Sequence, residues 1–94
     1  MSPKRRHIVI DSQDNVATAI TDLNKGETIG TQFGDIILGD DIRYGHKFAL
    51  TDISQDDYII KYGTSIGRAT TPIRQGDHVH VHNVKDIVNE VRKR

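Results

Sequence analysis

The polar positions of the chain fall in short groups between apolar stretches, and one such group occurs four times. It consists of an apolar residue, two polar or linking residues, a Gly or Asp, and a residue that opens the next apolar stretch. The copies occupy residues 23–27, 42–46, 53–57 and 73–77, and their starts, 19, 11 and 20 residues apart, lack the fixed period of a solenoid. Because Gly adopts positive φ without strain and Asp tolerates it, each copy predicts a tight turn between strands.

The apolar stretches between these turns have the composition of β-strands. Thirteen Ile and seven Val outnumber three Leu and one Met, and β-branched side chains fit a pleated strand better than a helix. Two more turns, containing Gly34 and Gly63, are typical of hairpins. The pattern predicts a mostly β fold, with strands near residues 7–10, 17–22, 28–33, 35–38, 47–52, 58–62, 65–70 and 78–83.

The spacing of the apolar residues changes in the last part of the sequence. Val84, Ile87, Val88 and Val91 follow the i, i+3, i+4, i+7 spacing of an amphipathic helix. This spacing predicts a short C-terminal helix within residues 84–94, which must dock on the sheet or on a partner because so short a helix is marginal alone. No linker divides the chain. We therefore expect a single domain over residues 1–94, with its motifs in residues 7–83.

Charge and composition exclude several classes of function. Lys plus Arg and Asp plus Glu both number 13, so no long-range field draws the chain to nucleic acid or to anionic lipid. The sequence has no Cys, which excludes a disulfide framework and a thiolate nucleophile. No apolar run approaches the ~18 residues of a membrane span, and we expect a cytoplasmic protein. The low apolar content favours a partner that completes the burial of the core.

Residues 76–83 concentrate histidine. In a strand, His78, His80 and His82 would share one face while Val79 and Val81 face the core. Successive histidines would stand ~6.6 Å apart, so two of them can share a divalent metal, and all three only if the strand bends sharply. An exposed polar strand face is the alternative. Strict alternation of three among only five His in the chain favours a functional site.

The other candidates for chemistry are single residues. His46 lies at the end of a repeated turn, where a polar side chain also suits a solvated position. Asp14 and Asn15 precede an apolar segment, where their side chains most simply cap a turn. Three cations on predicted strands can bind a carboxylate if the fold brings them together: Lys47, Lys61 and Arg68.

Several segments taken together resemble a known family. In chain order they are Asp14-Asn15-Val16-Ala17, Ile42-Arg43-Tyr44-Gly45-His46-Lys47-Phe48-Ala49-Leu50, Ile60-Lys61-Tyr62-Gly63, Ile66-Gly67-Arg68-Ala69 and Gly76-Asp77-His78-Val79-His80-Val81-His82-Asn83. The set is similar to the N-terminal SAF domain of altronate and galactarate dehydratases, and it also resembles the small subunit of sulfolactate sulfo-lyase. The resemblance covers nearly the whole chain and implies a single SAF-type β-clip domain.

The resemblance also implies an activity, the β-elimination of water from a sugar acid by a hydro-lyase with a divalent metal such as iron or manganese. It assigns catalysis to His46, His80 and His82, metal binding to His78, His80 and His82, and substrate binding to Lys47, Lys61, Arg68 and Asn83. Such enzymes carry a large catalytic part that this sequence lacks. The chain is therefore expected to act beside a large dehydratase subunit and to be inactive alone, and a homo-oligomer is compatible with this.

Two other classes of function stay open on the sequence. One is a stand-alone SAF domain that binds a small acid or a metal without catalysis, and the other is a purely structural β-clip adaptor. A stable large partner favours the lyase subunit, and ligand binding without such a partner favours the stand-alone domain. The absence of both favours the adaptor.

Overall fold

The computed structural model describes residues 6–87, and all regular structure in this range is β-strand. In chain order the strands are β1 His7–Ile8, β2 Val16–Ala19, β3 Thr28–Thr31, β4 Gly34–Ile37, β5 Lys47–Ala49, β6 Tyr58–Lys61, β7 Thr64–Ala69, β8 His78–Val79 and β9 Val84–Lys85. The mostly β prediction is confirmed, and each predicted strand has a counterpart, usually a shorter one. Residues 6–87 contain no helix with the length and apolar character needed to cross a membrane.

All strand pairs in this range are antiparallel. The largest sheet has four strands in the order β1-β2-β5-β8, which places distant parts of the sequence side by side. Strands β3 and β4 form a separate hairpin, and β6, β7 and β9 form a three-stranded sheet. Both predicted hairpins are present, since Thr31 pairs with Gly34 and Lys61 pairs with Thr64.

The four repeated turns associate in two pairs, each of which we call a clip. In the first clip, turns 23–27 and 42–46 meet where Leu23 and Ile42 exchange backbone hydrogen bonds of 2.8 and 2.9 Å. In the second clip, turns 53–57 and 73–77 meet through two bonds of 2.8 Å between Ile53 and Ile73. The predicted turns are thus confirmed, and they also hold each other in place.

Aspartate side chains strengthen the first clip from both sides. The carboxylate of Asp41 accepts a hydrogen bond of 2.8 Å from the backbone N–H of Lys25. In return, the carboxylate of Asp22 accepts one of 2.9 Å from the N–H of Tyr44. These bonds satisfy turn N–H groups that a strand ladder leaves unpaired.

The fourth residue of every repeated turn has positive φ, as the sequence predicts: Gly26, Gly45, Asp56 and Gly76. At Gly76, φ is 92°, and a Cβ would lie only 2.4 Å from the carbonyl oxygen of Ile37. A side chain at this position is therefore excluded by two independent causes, backbone conformation and close packing.

The core consists of two apolar clusters that cover opposite faces of the four-stranded sheet. Successive strand residues point to opposite faces, so Ala17 and Phe48 belong to one cluster while Val16 and Ala49 belong to the other. Val79 of β8 is fully buried in the second cluster. His78, its neighbour in β8, therefore points to the face that carries Phe48.

The predicted C-terminal helix does not begin at Val84, which is a correction to the sequence analysis. Val84 and Lys85 form β9 and pair with Ala69 and Arg68 of β7. Val84 also packs against the second core cluster, and the gain from pairing and burial outweighs the weak helical tendency of so short a segment. The rest of the predicted helix, residues 88–94, lies outside the described residues.

Candidate functional site

Three histidines from two separate segments converge beside β5 and β8. His46 ends the first clip directly before β5, His78 opens β8, and His80 follows it. Phe48 of β5 lies opposite His78 of β8, and this register brings the segments together. The rings stack, with centroids 4.2 Å apart for His46 and His80, 5.1 Å for His46 and His78, and 5.5 Å for His78 and His80. We call these three residues the histidine cluster.

The ring nitrogens of the histidine cluster are close enough to hold a metal ion. One nitrogen of each ring lies within 4.8 Å of the other two. The shortest separation, 2.9 Å between His46 Nδ1 and His78 Nε2, is a hydrogen-bond distance. Nitrogens that share a metal at ~2.0–2.1 Å lie about 2.9–3.4 Å apart, so the cluster needs only limited ring movement to become a ligand set. Imidazole donors suit iron, zinc, nickel and copper, and the donor set thus fits a divalent transition metal.

The straight row of histidines expected from the sequence is not present, because β8 ends at Val79. The chain turns back at His80, whose carbonyl accepts a hydrogen bond of 3.1 Å from the N–H of Asn83. Val81 sits in this turn and is 81% exposed, so the prediction that it faces the core is wrong. His82 is exposed and stacks on His78 at 5.1 Å, but it is not part of the group of three that can share an ion.

Asn83 shapes this turn through its side chain. Its Oδ1 accepts a hydrogen bond of 2.9 Å from the N–H of His80, and its Nδ2 donates one of 2.8 Å to the carbonyl of His78. The residue is buried at 7% exposure. The sequence suggested Asn83 as a substrate ligand, but both ends of its amide are engaged with the backbone of the histidine cluster.

Burial and mutual repulsion lower the pKa of two members of the cluster, His78 and His80. Burial lowers the pKa of His78, the nearby His82, His46 and His80 lower it further, and Asp40 opposes them. Burial also lowers the pKa of His80, with His46 and Lys47 as the next causes. Neutral imidazole is the form that binds a metal through its free lone pair. The lowered pKa of His78 and His80 thus favours the metal-binding form of these two rings.

The three predicted carboxylate binders do not all converge. Lys47 of β5 lies opposite Val79, the residue before His80, and Lys61 at the end of β6 is near enough for its charge to lower the pKa of Lys47, after burial. Arg68 is directed elsewhere: its guanidinium donates to the carbonyl of Asp56 and to the hydroxyl of Tyr58, with its centre 4.6 Å from the Tyr58 ring.

Sequence reasoning gave no role to Tyr62. With φ of 59° at Tyr62 and 70° at Gly63, the two residues form the turn between β6 and β7. Buried Asp14 fixes this turn, since its Oδ1 accepts a hydrogen bond of 2.8 Å from the N–H of Gly63. The Tyr62 ring lies 4.8 Å from the Lys61 ammonium. The Tyr-Gly pair in the sequence predicts the turn. It does not predict that the Tyr62 ring lies beside the Lys61 ammonium.

Comparison with known proteins relates this chain to a set of lyases. Residues 5–87 match the family described as the altronate/galactarate dehydratase SAF domain. An altronate dehydratase from Bacillus subtilis is 44% identical over 85 residues, which is 90% of this chain and 17% of that protein. An altronate dehydratase from Escherichia coli is 41% identical over 86 residues, again 17% of its length.

A shorter relative is a subunit of a different lyase. The (2R)-sulfolactate sulfo-lyase subunit alpha of Chromohalobacter salexigens is 56% identical over 46 residues, which is 49% of this chain and 49% of that subunit. The chain thus spans about a sixth of each altronate dehydratase, and its match covers about half of the alpha subunit.

Proposed function

Because the chain belongs to the altronate/galactarate dehydratase SAF domain family, we propose that it is the small subunit of a sugar-acid lyase. In this proposal it acts with a separate large catalytic subunit, and together they eliminate water from a polyhydroxy acid. The existence of a sulfo-lyase subunit among the relatives supports the arrangement as separate chains. The family match supports the lyase class.

The observation that carries the proposal is the histidine cluster at an open surface. His46, His78 and His80 supply three imidazoles, and Val81 beside them is 81% exposed. Three protein ligands leave further coordination positions of a metal open, as catalytic sites require.

A divalent metal, iron or manganese, is part of the proposal, with His46, His78 and His80 as its ligands in this chain. When bound, such an ion stabilises the negative charge that develops on a carboxylate oxygen as the neighbouring C–H proton is removed. The chain itself supplies a fixed arrangement of rings. Asn83 holds the backbone on both sides of Val79, so that His78 and His80 keep their relative orientation.

Elimination also needs a proton acceptor and donor. The proton beside the carboxylate must leave carbon, the C–O bond at the next carbon must break, and the departing hydroxide must gain a proton to leave as water. His82 stacks on His78 but lies outside the group of three, so its ring nitrogens are available for such a proton transfer. An imidazole suits this role because its ordinary pKa is near neutrality.

Co-expression tests the proposal. The chain is produced alone and together with the product of the neighbouring open reading frame, and both preparations are assayed with altronate, galactarate and sulfolactate in the presence of iron or manganese. We expect a stable two-chain complex with lyase activity, and no turnover by the chain alone. Turnover by the isolated chain, or a neighbour that neither binds nor activates it, would contradict the proposal.

A stand-alone binding domain is the second candidate, and one observation favours it. The three donor nitrogens of the cluster all come from this chain, so this donor set does not require a ligand from a partner. Metal or acid binding by a chain that forms no complex and supports no turnover would establish this function instead.

A further inference from the structure

His78 lies in an edge strand, where one side of the backbone lacks a strand partner among residues 6–87. β8 is the last strand in the order β1-β2-β5-β8, and it pairs on its other side with β5. An edge strand leaves every second N–H without an acceptor in the ladder. The N–H of His78 is such a group, and a side chain from another segment accepts its hydrogen bond.

The acceptor is the carboxylate of Asp40, which lies 38 positions earlier in the sequence. Its Oδ2 is 3.0 Å from the backbone nitrogen of His78. Two residues further along, the N–H of His80 donates in the same way to the side chain of Asn83, at 2.9 Å. Both histidines of this segment are therefore held by side-chain acceptors that take the place of a neighbouring strand.

The contact between residues 37–40 and 76–78, which we call the seam, is closely packed. The N–H of Gly39 donates a hydrogen bond of 3.0 Å to the carbonyl of Gly76. A Cβ at Gly76 would lie only 2.4 Å from the carbonyl oxygen of Ile37. The two backbones thus have little room to shift against each other, and the hydrogen bond from His78 to Asp40 closes the seam at its end.

The seam joins the two segments that form the histidine cluster. Asp40 shortly precedes turn 42–46 of the first clip, which ends in His46, whereas His78 directly follows the second clip. Across the seam the two rings meet, with His46 Nδ1 2.9 Å from His78 Nε2. Hydrogen bonds weaken steeply as their geometry departs from the favoured range. The ring pair is therefore sensitive to a displacement of the His78 backbone.

We propose that Asp40 is a positioning residue of the histidine cluster. It acts through the backbone of His78 and is not itself in the group of three that can share an ion. Its carboxylate holds the first residue of β8, and with it the His78 ring, in place beside His46. The importance of this for metal binding rests on the proposed function, whereas the positioning itself rests on the hydrogen bonds of this chain.

NMR of the full chain without metal tests the positioning. At about pH 8, where an ordinary imidazole is neutral, a hydrogen bond between the His46 and His78 rings transmits a ¹⁵N–¹⁵N coupling from Nδ1 to Nε2. We expect this coupling in the wild type and its loss in Asp40→Ala. Asp40→Asn lacks the charge but retains an oxygen acceptor for the His78 N–H, so it should retain the coupling.

Calorimetric titration with Co²⁺ gives a second measurement on the same variants. Asp40→Ala should lower the Co²⁺ affinity at least about 10-fold, an effect typical of losing an outer partner of a metal ligand, and Asp40→Asn should bind Co²⁺ more tightly than Asp40→Ala. Asp41→Ala is the matched control, because Asp41 is equally exposed and its carboxylate also accepts a backbone hydrogen bond, of 2.8 Å from Lys25. It should retain both the coupling and the Co²⁺ affinity.

Several outcomes would overturn the role of Asp40. They are the absence of the coupling in the wild type, wild-type coupling or wild-type Co²⁺ affinity in Asp40→Ala, and loss of the coupling in Asp40→Asn. Circular dichroism verifies that each variant is folded, and Asp40→Glu, which displaces the acceptor by one methylene, replaces Asp40→Ala if that variant is not. A wild type that binds no Co²⁺ would contradict the proposed metal site, while the coupling still decides on Asp40, so the two proposals fail separately.

Discussion

His46 Nδ1 lies 2.9 Å from His78 Nε2, although 32 positions separate the two residues. A hydrogen bond at this distance needs one proton between the two nitrogens, so one ring donates and the other accepts. A shared metal ion requires a lone pair from both. Metal binding therefore replaces the hydrogen bond, and the donor ring must move its proton to its other nitrogen.

The first prediction separates the ligand set of the structure from the row expected on the sequence. His46→Ala and His80→Ala should each lower the affinity of the chain for Co²⁺ at least about 10–100-fold, since even losing an outer partner of a ligand has that effect. His82→Ala should have a smaller effect, because His82 lies outside the group of three. Calorimetric titration measures all three. Loss of Co²⁺ affinity in His82→Ala with little change in His46→Ala would instead show that His78, His80 and His82 are the ligands, as the sequence predicts.

The second prediction concerns Asn83. Asn83→Ala should lower the free energy of unfolding by about 1–3 kcal/mol, because it removes two hydrogen bonds and leaves the His80 N–H without its acceptor. Urea denaturation measures the loss. Asn83→Asp retains an acceptor for the His80 N–H and should retain more Co²⁺ affinity than Asn83→Ala. Unchanged stability in Asn83→Ala would show that the turn does not depend on this side chain.

The third prediction compares two glycines of the repeated turns. Both have positive φ, 89° at Gly26 and 92° at Gly76, but a Cβ at Gly26 meets nothing within 4 Å, whereas one at Gly76 meets the Ile37 carbonyl. Gly26→Ala should cost about 1–2 kcal/mol of stability from backbone strain alone. Gly76→Ala should cost about 2–4 kcal/mol, because packing is disturbed as well. Equal losses in chemical denaturation would contradict the separate packing effect.

The fourth prediction is a pH dependence. A hydrogen bond from the Asn24 N–H, at 2.5 Å, and then the Arg6 guanidinium, at 2.6 Å, lower the pKa of Glu27 below its usual 4.5. A carboxyl whose folded-state pKa is lowered stabilises the fold above its unfolded pKa and loses this effect as pH falls through the folded value. Wild type should therefore have a higher Tm than Glu27→Gln at pH 7, with the difference shrinking below about pH 4.5. A constant difference at acid pH would contradict this.

The turns could be predicted from the sequence because their conformation depends on neighbouring residues only. Gly26, Gly45, Asp56 and Gly76 mark positive φ within a five-residue pattern, so no knowledge of distant contacts was needed. Asp14 was likewise interpreted as a capping residue, and its carboxylate does accept turn N–H groups. Which turns would associate could not be deduced, since the exchange between Leu23 and Ile42 depends on the complete fold.

Only part of the histidine cluster could be predicted from the sequence, because the rest depends on contacts between distant segments. Period-two reasoning correctly separated His78 from Val79, but it continued through His80, where the side chain of Asn83 ends the strand. The place of His46 beside His78 depends on the register of β5 against β8, which a single sequence does not contain. The helix expected from Val84 failed because pairing with β7 decided the local structure.

The two clips also imply an order of folding. Each clip joins turns whose first residues are 19 or 20 positions apart in the sequence, and loops of that size close with little entropic cost compared with long-range pairing. Each clip can therefore form early and independently. His46 belongs to the first clip, whereas His78 and His80 follow the second. The histidine cluster is complete only when the clips dock through β5 and β8, so the ligand set that we propose for a metal would form at the last step of folding.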